Sequence, residues 1–231
     1  GRIIGGREAK PHSRPYMAYL SIQSESGGFA CGGFLIRPDA VLSAAHCVAG
    51  NKKVNVTVIL GAHNISKNEP TQQMLHVGHW VIHPKYSGYT GENDIMLLKL
   101  KPTAKLTKSV SCVPFASHKE RVEPGTICKV AGWGGTSMTG DVTSVLMEVD
   151  LKVQREQKCT KIFKHYRPVT MICAGDKNGK KASFLGDSGG PLVCNGKAHG
   201  IVSYGPQNSL FPEVFTRVSY FEQWIRAELR K

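Results

Sequence analysis

No apolar stretch in this 231-residue chain reaches the ~18 residues that a membrane-crossing helix needs, so no membrane span is expected. No leader-like apolar segment stands at the start either; the chain opens at Gly1-Arg2 and reads as a processed form. None of the seven cysteines forms a Cys-x-x-Cys pair, which argues against a zinc site and against thioredoxin-like chemistry. No metal or other cofactor is indicated. Internal repeats and low-complexity linkers are absent, which excludes solenoids and tethered arrays. Acids are scarce: 17 Asp and Glu stand against 30 Lys and Arg, a net charge of +13. Zinc-finger, basic-zipper and similar motifs are missing, so that charge does not point to a specific nucleic acid.

Hydrophobic residues make up 41% of the chain and charged residues 20%, which fits an ordered globular protein. The basic excess is spread over Lys52-Lys53 and over 158–167, 177–181 and 226–231. It fits an anionic partner such as a sulfated polysaccharide or an acidic granule matrix. It equally fits a solvated surface with no specific partner. Scattered cysteines in such a chain read as disulfides made in an oxidising compartment. Seven is odd, so at least one is free or pairs between chains. Two sequons, at Asn55 and Asn64, agree with secretory passage and glycosylation.

Short β-type runs punctuated by turn residues recur at 17–23, 31–36, 54–60, 74–82, 95–100, 127–133, 145–153, 191–194, 199–204 and 214–218. Many short strands at close spacing predict an all-β barrel or sandwich. The stretch 109–124 has no clear period and is expected to connect two halves. The end differs. Ser219 and Glu222 have capping-box spacing, and Phe221, Trp224, Ile225 and Leu229 recur at helical intervals, so 219–229 is predicted as an amphipathic helix packed on the body.

Three fragments carry chemistry. Gly186-Asp187-Ser188-Gly189-Gly190-Pro191 sets a serine among glycines, which permit turns that present a hydroxyl and aim backbone N–H groups at one point. Acyl transfer needs that combination of nucleophile and oxyanion stabiliser; an incidental serine in a tight turn has the same local pattern. His46, in Ala44-Ala45-His46-Cys47, closes a small apolar run, and a histidine there can accept and return a proton near neutral pH. Asp94 stands at the mouth of the apolar run 95–98 and needs a partner if buried, although Asn93-Asp94 also suits a plain turn.

Together these fragments resemble the trypsin/chymotrypsin family of serine proteases. The order His46, Asp94, Ser188 is the chymotrypsin-like order. The resemblance rests also on Ile3-Ile4-Gly5-Gly6, Gly132-Trp133-Gly134 and Ser203-Tyr204-Gly205, and it covers nearly the whole chain. Within the family the chain resembles the haematopoietic granule group of cathepsin G, mast-cell chymases and granzymes, with 181–191 and 199–218 most similar to cathepsin G.

The resemblance implies two antiparallel six-stranded β-barrels and a C-terminal α-helix. Residues 1–2 would be an activation dipeptide and 3–231 the peptidase domain. The barrels would span about 14–111 and 112–218, with the helix at 219–229. Ser188 would attack the scissile carbonyl, His46 would relay the proton and Asp94 would orient the imidazole. Backbone N–H groups of Gly186 and Ser188 would form the oxyanion hole. Ser203, Tyr204 and Gly205 would pair with the substrate backbone. The implied disulfides are Cys31–Cys47, Cys128–Cys194 and Cys159–Cys173, which leaves Cys112 over. A bridge found beside the primary pocket in digestive relatives is missing, since Phe184 stands in its place.

Ala182 falls where trypsin-like enzymes carry an aspartate, so a pocket of Ala182, Ser183, Phe184 and Leu185 should accept a bulky apolar side chain. Glu213 aligns with the back of that pocket and implies tolerance of Lys and Arg beside Phe, Tyr and Leu. Cleavage between Arg2 and Ile3 would free an amine to pair with Asp187. In an uncut zymogen, Ile3 is expected far from Asp187, with a collapsed pocket or oxyanion hole. Arg2 itself departs from the acidic dipeptide usual in the granule group. The expected setting is a monomeric secreted glycoprotein stored in cytoplasmic granules of immune cells. It would act on proteins and peptides, meet serpin-type inhibitors and bind anionic glycosaminoglycans. The alternative is a catalytically silent homologue that binds glycosaminoglycans or microbes.

Overall fold

A computed structural model describes residues 3–134, 144–183 and 187–231. Among the described residues, fourteen strands, two α-helices and two 3₁₀ turns follow one another. The first strands are β1 (Arg7–Glu8), β2 (Met17–Ser24), β3 (Gly27–Arg37), β4 (Ala40–Ser43), β5 (Asn55–Leu60), β6 (Gln73–Val77), β7 (His79–Ile82) and β8 (Met96–Lys99). The later strands are β9 (Ile127–Gly132), β10 (Met147–Val153), β11 (Met171–Gly175), β12 (Pro191–Cys194), β13 (Lys197–Tyr204) and β14 (Glu213–Arg217).

The first antiparallel sheet runs β6-β5-β2-β3-β4-β8-β7. In β2 and β5 alternate side chains are buried, the period expected of a strand with one face on a core. The run 74–82, read from sequence as one strand, is interrupted at Gly78. Its first half pairs with β5 and its second with β8. One bent segment thereby serves both sheet edges and closes the wall, which leaves no long open edge. Leu20, Ile22, Phe34, Leu35, Leu42, Leu97 and Leu98 fill this barrel with no measurable exposure.

The second sheet runs β1-β10-β11-β14-β13-β12-β9, and β9 also pairs with β10, so β9 to β14 form a closed ring of six with β1 added outside. Cys128, Val130, Leu151, Ile172, Leu192 and Phe215 make its core, and Ile3 joins them. The connecting stretch 109–124 touches both barrels: Val113 N–H donates to Leu35 O at 2.9 Å and Ala116 N–H to Ala198 O at 3.0 Å.

The chain ends in a 3₁₀ turn (Val218–Phe221) and α2 (Glu222–Leu229), while α1 (Glu156–Thr160) lies between β10 and β11. Phe221 and Ile225 are buried in the first barrel's core, so the last segment of the second half straps back over the first. The Ser219–Glu222 capping box does not form. The residue before α2 is Phe221, which offers no side-chain cap, and Glu222 instead accepts from His118 N–H at 3.1 Å. A long-range partner has taken the carboxylate that local pattern assigned to the helix start. No helix among the described residues is long and apolar enough to cross a membrane.

Candidate active site

β4 is buried throughout, and the 3₁₀ turn Ala45–Cys47 that follows it carries His46. The Cys31–Cys47 disulfide ties this turn to β3. Asp94 precedes β8 and is 2% exposed. The two residues meet twice: His46 N–H donates to Asp94 Oδ1 at 2.9 Å, and His46 Nδ1 lies 2.7 Å from Oδ2. Two hydroxyls from the second barrel complete the setting. Ser203 Oγ donates to Asp94 Oδ2 at 2.7 Å, and Thr216 Oγ1 donates to the Asp94 carbonyl at 2.8 Å. A buried carboxylate would be costly if left unpaired; here three donors surround it. The His46 side chain is 35% exposed but sits in a crevice. Desolvation by the crevice walls disfavours its charge, yet the hydrogen bond and negative charge of Asp94 outweigh that, and its pKa is raised above 6.5.

Ser188 lies on the turn that enters β12. Gly190 N–H donates to Asp187 O at 3.0 Å, which closes the turn. Gly189 N–H donates to Val202 O at 3.0 Å and Val202 N–H to Gly190 O at 2.9 Å, which fixes it to β13. Gly32 N–H, from the first barrel, donates to Ser188 O at 2.8 Å. The serine turn is therefore held from both sides of the interface. Asp187 is fully buried, and its Oδ1 accepts from Gly134 N–H at 3.0 Å. Phe184, Leu185 and Gly186 lie outside the described residues, as does Arg2.

The family profile described as Trypsin matches residues 3–225. The chain belongs to the trypsin family. It is 54% identical to human cathepsin G over 230 residues, covering 100% of this chain and 88% of that one. Sheep mast cell protease 3 is 52% identical, covering 100% and 90%. Human granzyme B is 50% identical, covering 100% and 92%. A solved structure titled "Structure of GrC" superposes with a TM-score of 0.91 at 46% identity, covering 99% of this chain and all of that one. The trypsin-family chain is thus a chymotrypsin-like granule protease, a serine endopeptidase acting on protein substrates.

A cavity of about 720 Å³ opens beside Ser188, walled by Ala182, Ser183, Tyr204, Gly205 and Glu213. Glu213, the first residue of β14, is 6% exposed. Its Oε1 accepts from Ser183 N–H at 3.1 Å and from Ser183 Oγ, while the buried Oε2 has no partner among the described residues. Burial is the main cause that lifts its pKa, with Asp187 adding to it; the Ser183 hydrogen bonds pull the other way, and the result is about 8. A second cavity, of about 480 Å³, starts at His46 and Asp94. Ser203 and Tyr204 line both cavities and form the ridge between them.

At the start of the described chain, Ile3 is 2% exposed within the second barrel's core. Ile4 pairs with Ala182 through Ile4 N–H to Ala182 O at 2.8 Å and the reciprocal bond at 3.0 Å. Ile3 is thus seated in the second barrel, next to the strand-like pairing of Ile4 with Ala182. Disulfides join Cys31–Cys47, Cys128–Cys194 and Cys159–Cys173, and Cys112 is a free thiol. Asn55 is exposed at the start of β5, whereas Asn64 Oδ1 accepts from Ser66 N–H at 3.0 Å and from Ser66 Oγ at 2.6 Å. Sequence reasoning gave Ser203 a role in pairing with substrate and missed its bond to Asp94. No local pattern could have signalled a contact between residues 109 positions apart.

Proposed function

We propose that this protease cleaves peptide bonds through Ser188, His46 and Asp94 by way of an acyl-enzyme. The double hydrogen bond between His46 and Asp94 is the observation that carries the reading. It fixes a proton on Nδ1 and leaves Nε2 free to take the Ser188 proton as the hydroxyl attacks the carbonyl. The imidazolium so formed is stabilised by the same carboxylate, then gives its proton to the leaving amine. Water repeats the cycle to release the acid. The N–H groups of Gly186 and Ser188 would stabilise the oxyanion. In this reading, cleavage at Arg2–Ile3 would activate the enzyme. Granule storage, secretion, glycosylation at Asn55 and Asn64, serpin inhibition, glycosaminoglycan binding and a monomeric state belong to the same reading, supported by the granule relatives, the sequons and the net charge of +13. A fluorophosphonate probe tests the centre. The N-terminally cleaved protein should label at Ser188 and lose peptidase activity in proportion; an unlabelled, inert protein would leave only a binding role.

Primary specificity follows from Glu213. With a pKa of about 8, its carboxyl is largely neutral near pH 7 and compatible with a Phe, Tyr or Leu side chain. An entering Lys or Arg offers Oε2 the partner it lacks and draws the carboxyl into its charged form. Such charge-assisted pairs contribute ~1.5–3 kcal/mol. Glu213→Gly should therefore lower kcat/KM for Lys and Arg peptides about ten- to a hundredfold and spare cleavage after Phe. The acid's pKa is raised, so its anion gains population as pH rises through about 8. Cleavage after Lys should accordingly gain on cleavage after Phe between pH 6 and pH 9. Unchanged Lys cleavage in the variant would refute the role.

A further inference from the structure

The cavity that begins at His46 is not spent by the mechanism. One wall is the 86–91 loop of the first barrel and the other is the 162–165 loop of the second. Glu92 and Arg167 clamp the two loops together, Nε to Oε1 at 2.7 Å. Thr90 Oγ1 also donates to the other Glu92 oxygen at 3.1 Å, so that carboxylate is occupied. The remaining acid at this cavity is Asp94, already held by His46 and Ser203. Lys164, His165 and Tyr89 all line the cavity. Lys164 is exposed and makes no ion pair among the described residues. Tyr89 is 86% exposed and stands over the His165 ring at 5.6 Å. The cavity thus combines an unspent cation with a phenol and an imidazole, and no uncompensated carboxylate.

We propose that this cavity selects an acidic side chain in the substrate, two or four residues before the scissile bond, with Lys164 as its counter-charge. The inference rests on the protease reading above and narrows its substrate class. A peptide paired along 203–205 is extended, so successive side chains point to opposite faces. The ridge of Ser203 and Tyr204 separates the two cavities. If the residue at the cleaved bond enters the Glu213 cavity, the residues two and four places before the bond turn toward the Lys164 side. A Glu or Asp there meets a cation; a Lys or Arg meets repulsion.

The test uses peptides with Phe before the cleaved bond and Glu, Gln or Lys at each of those two positions. Exposed ion pairs are weak, so Glu should be preferred to its isostere Gln by about three- to fivefold in kcat/KM at low salt. The preference should shrink toward one as ionic strength rises to ~1 M, where the screening length falls to ~3 Å. Lys164→Glu should reverse it in favour of Lys. The same charge change at Lys231, beyond the C-terminal helix, should leave the ratio unmoved. Equal rates for Glu and Gln at both positions overturn the proposal while the protease reading stands. So does a preference that ignores salt and Lys164→Glu, or one that Lys231→Glu shifts as much. Failure of the cleaved wild-type enzyme to hydrolyse any of the peptides overturns both.

Discussion

Asp94→Asn is expected to lower kcat by about 10⁴-fold, the size established for the chymotrypsin triad, with the fold kept. The direction follows from the bonds around the side chain. His46 N–H must be met by an acceptor at the Oδ1 position, so the asparagine carbonyl oxygen goes there. The amide NH₂ then occupies the Oδ2 position, between His46 Nδ1 and Ser203 Oγ. Both can accept, so every hydrogen bond is remade. Nδ1, however, is now an acceptor, and the ring proton moves to Nε2, the nitrogen that should receive the Ser188 proton. Kinetics on the two proteins decide this: a loss under tenfold would remove Asp94 from the mechanism. The pH dependence carries a second sign. Asp94 outweighs desolvation in raising the His46 pKa, so in Asp94→Asn the desolvation remains alone and that pKa falls. The acid limb of kcat/KM should therefore lie lower in the residual activity of the variant than in the wild type. The charged pair also stabilises the fold. A folded-state pKa raised above the unfolded value gives stability that is fully present below the unfolded pKa and lost as pH rises through the folded one. Denaturation should therefore separate the two proteins more at pH 5 than at pH 9.

What sequence could reach, and what it could not, divides along a physical line. Runs with alternating burial such as β2 and β5 declare themselves because a strand with one buried face repeats every second residue. β4 and β11 are buried on both faces, so Ala40–Ser43 and Met171–Gly175 carry no alternation and pass as loop or as part of the histidine turn. β1 has two residues, too few for any period. Ser188 and His46 were legible because glycines and small residues surround them, and Asp94 because it heads an apolar run. Their supports were not. Ser203 and Thr216 reach Asp94 only once β13 and β14 come against the first barrel. Arg217 is buried against Glu156 at 3.0 Å and donates to Met171 O at 2.8 Å, and Glu156 also takes the Tyr166 hydroxyl. That cluster anchors α1 and the loop walling the second cavity, yet its members are up to 61 residues apart. Contacts of this kind are decided by barrel closure, and no short window of sequence contains them.

Gly189→Ala should abolish most activity and cost several kcal/mol of stability. Gly189 has φ +88°, and a Cβ there would lie 2.1 Å from Ser43 Oγ and 2.4 Å from Gly32 O. Neither can retreat easily. Ser43 is fully buried and donates to that same Gly32 carbonyl at 2.7 Å, while Gly32 N–H holds Ser188 O. The left-handed conformation costs a residue with a Cβ ~1–2 kcal/mol, and overpacking adds ~1–3 kcal/mol. At ~2–4 °C per kcal/mol for a chain of this size, melting should fall by about 10 °C. The serine turn is pinned between the barrels, so relief of the overlap must displace Ser188. A displacement of ~1 Å costs ~10²-fold in rate, and kcat/KM should drop by at least that. Gly196→Ala supplies the contrast. Gly196 also has positive φ, +77°, in the hairpin turn between β12 and β13, but a Cβ there meets nothing within 4 Å. It should bear only the conformational cost, with activity intact. Equal damage from the two substitutions would mean that backbone strain alone acts, and that close packing of Gly189 against Ser43 and Gly32 does not position the serine.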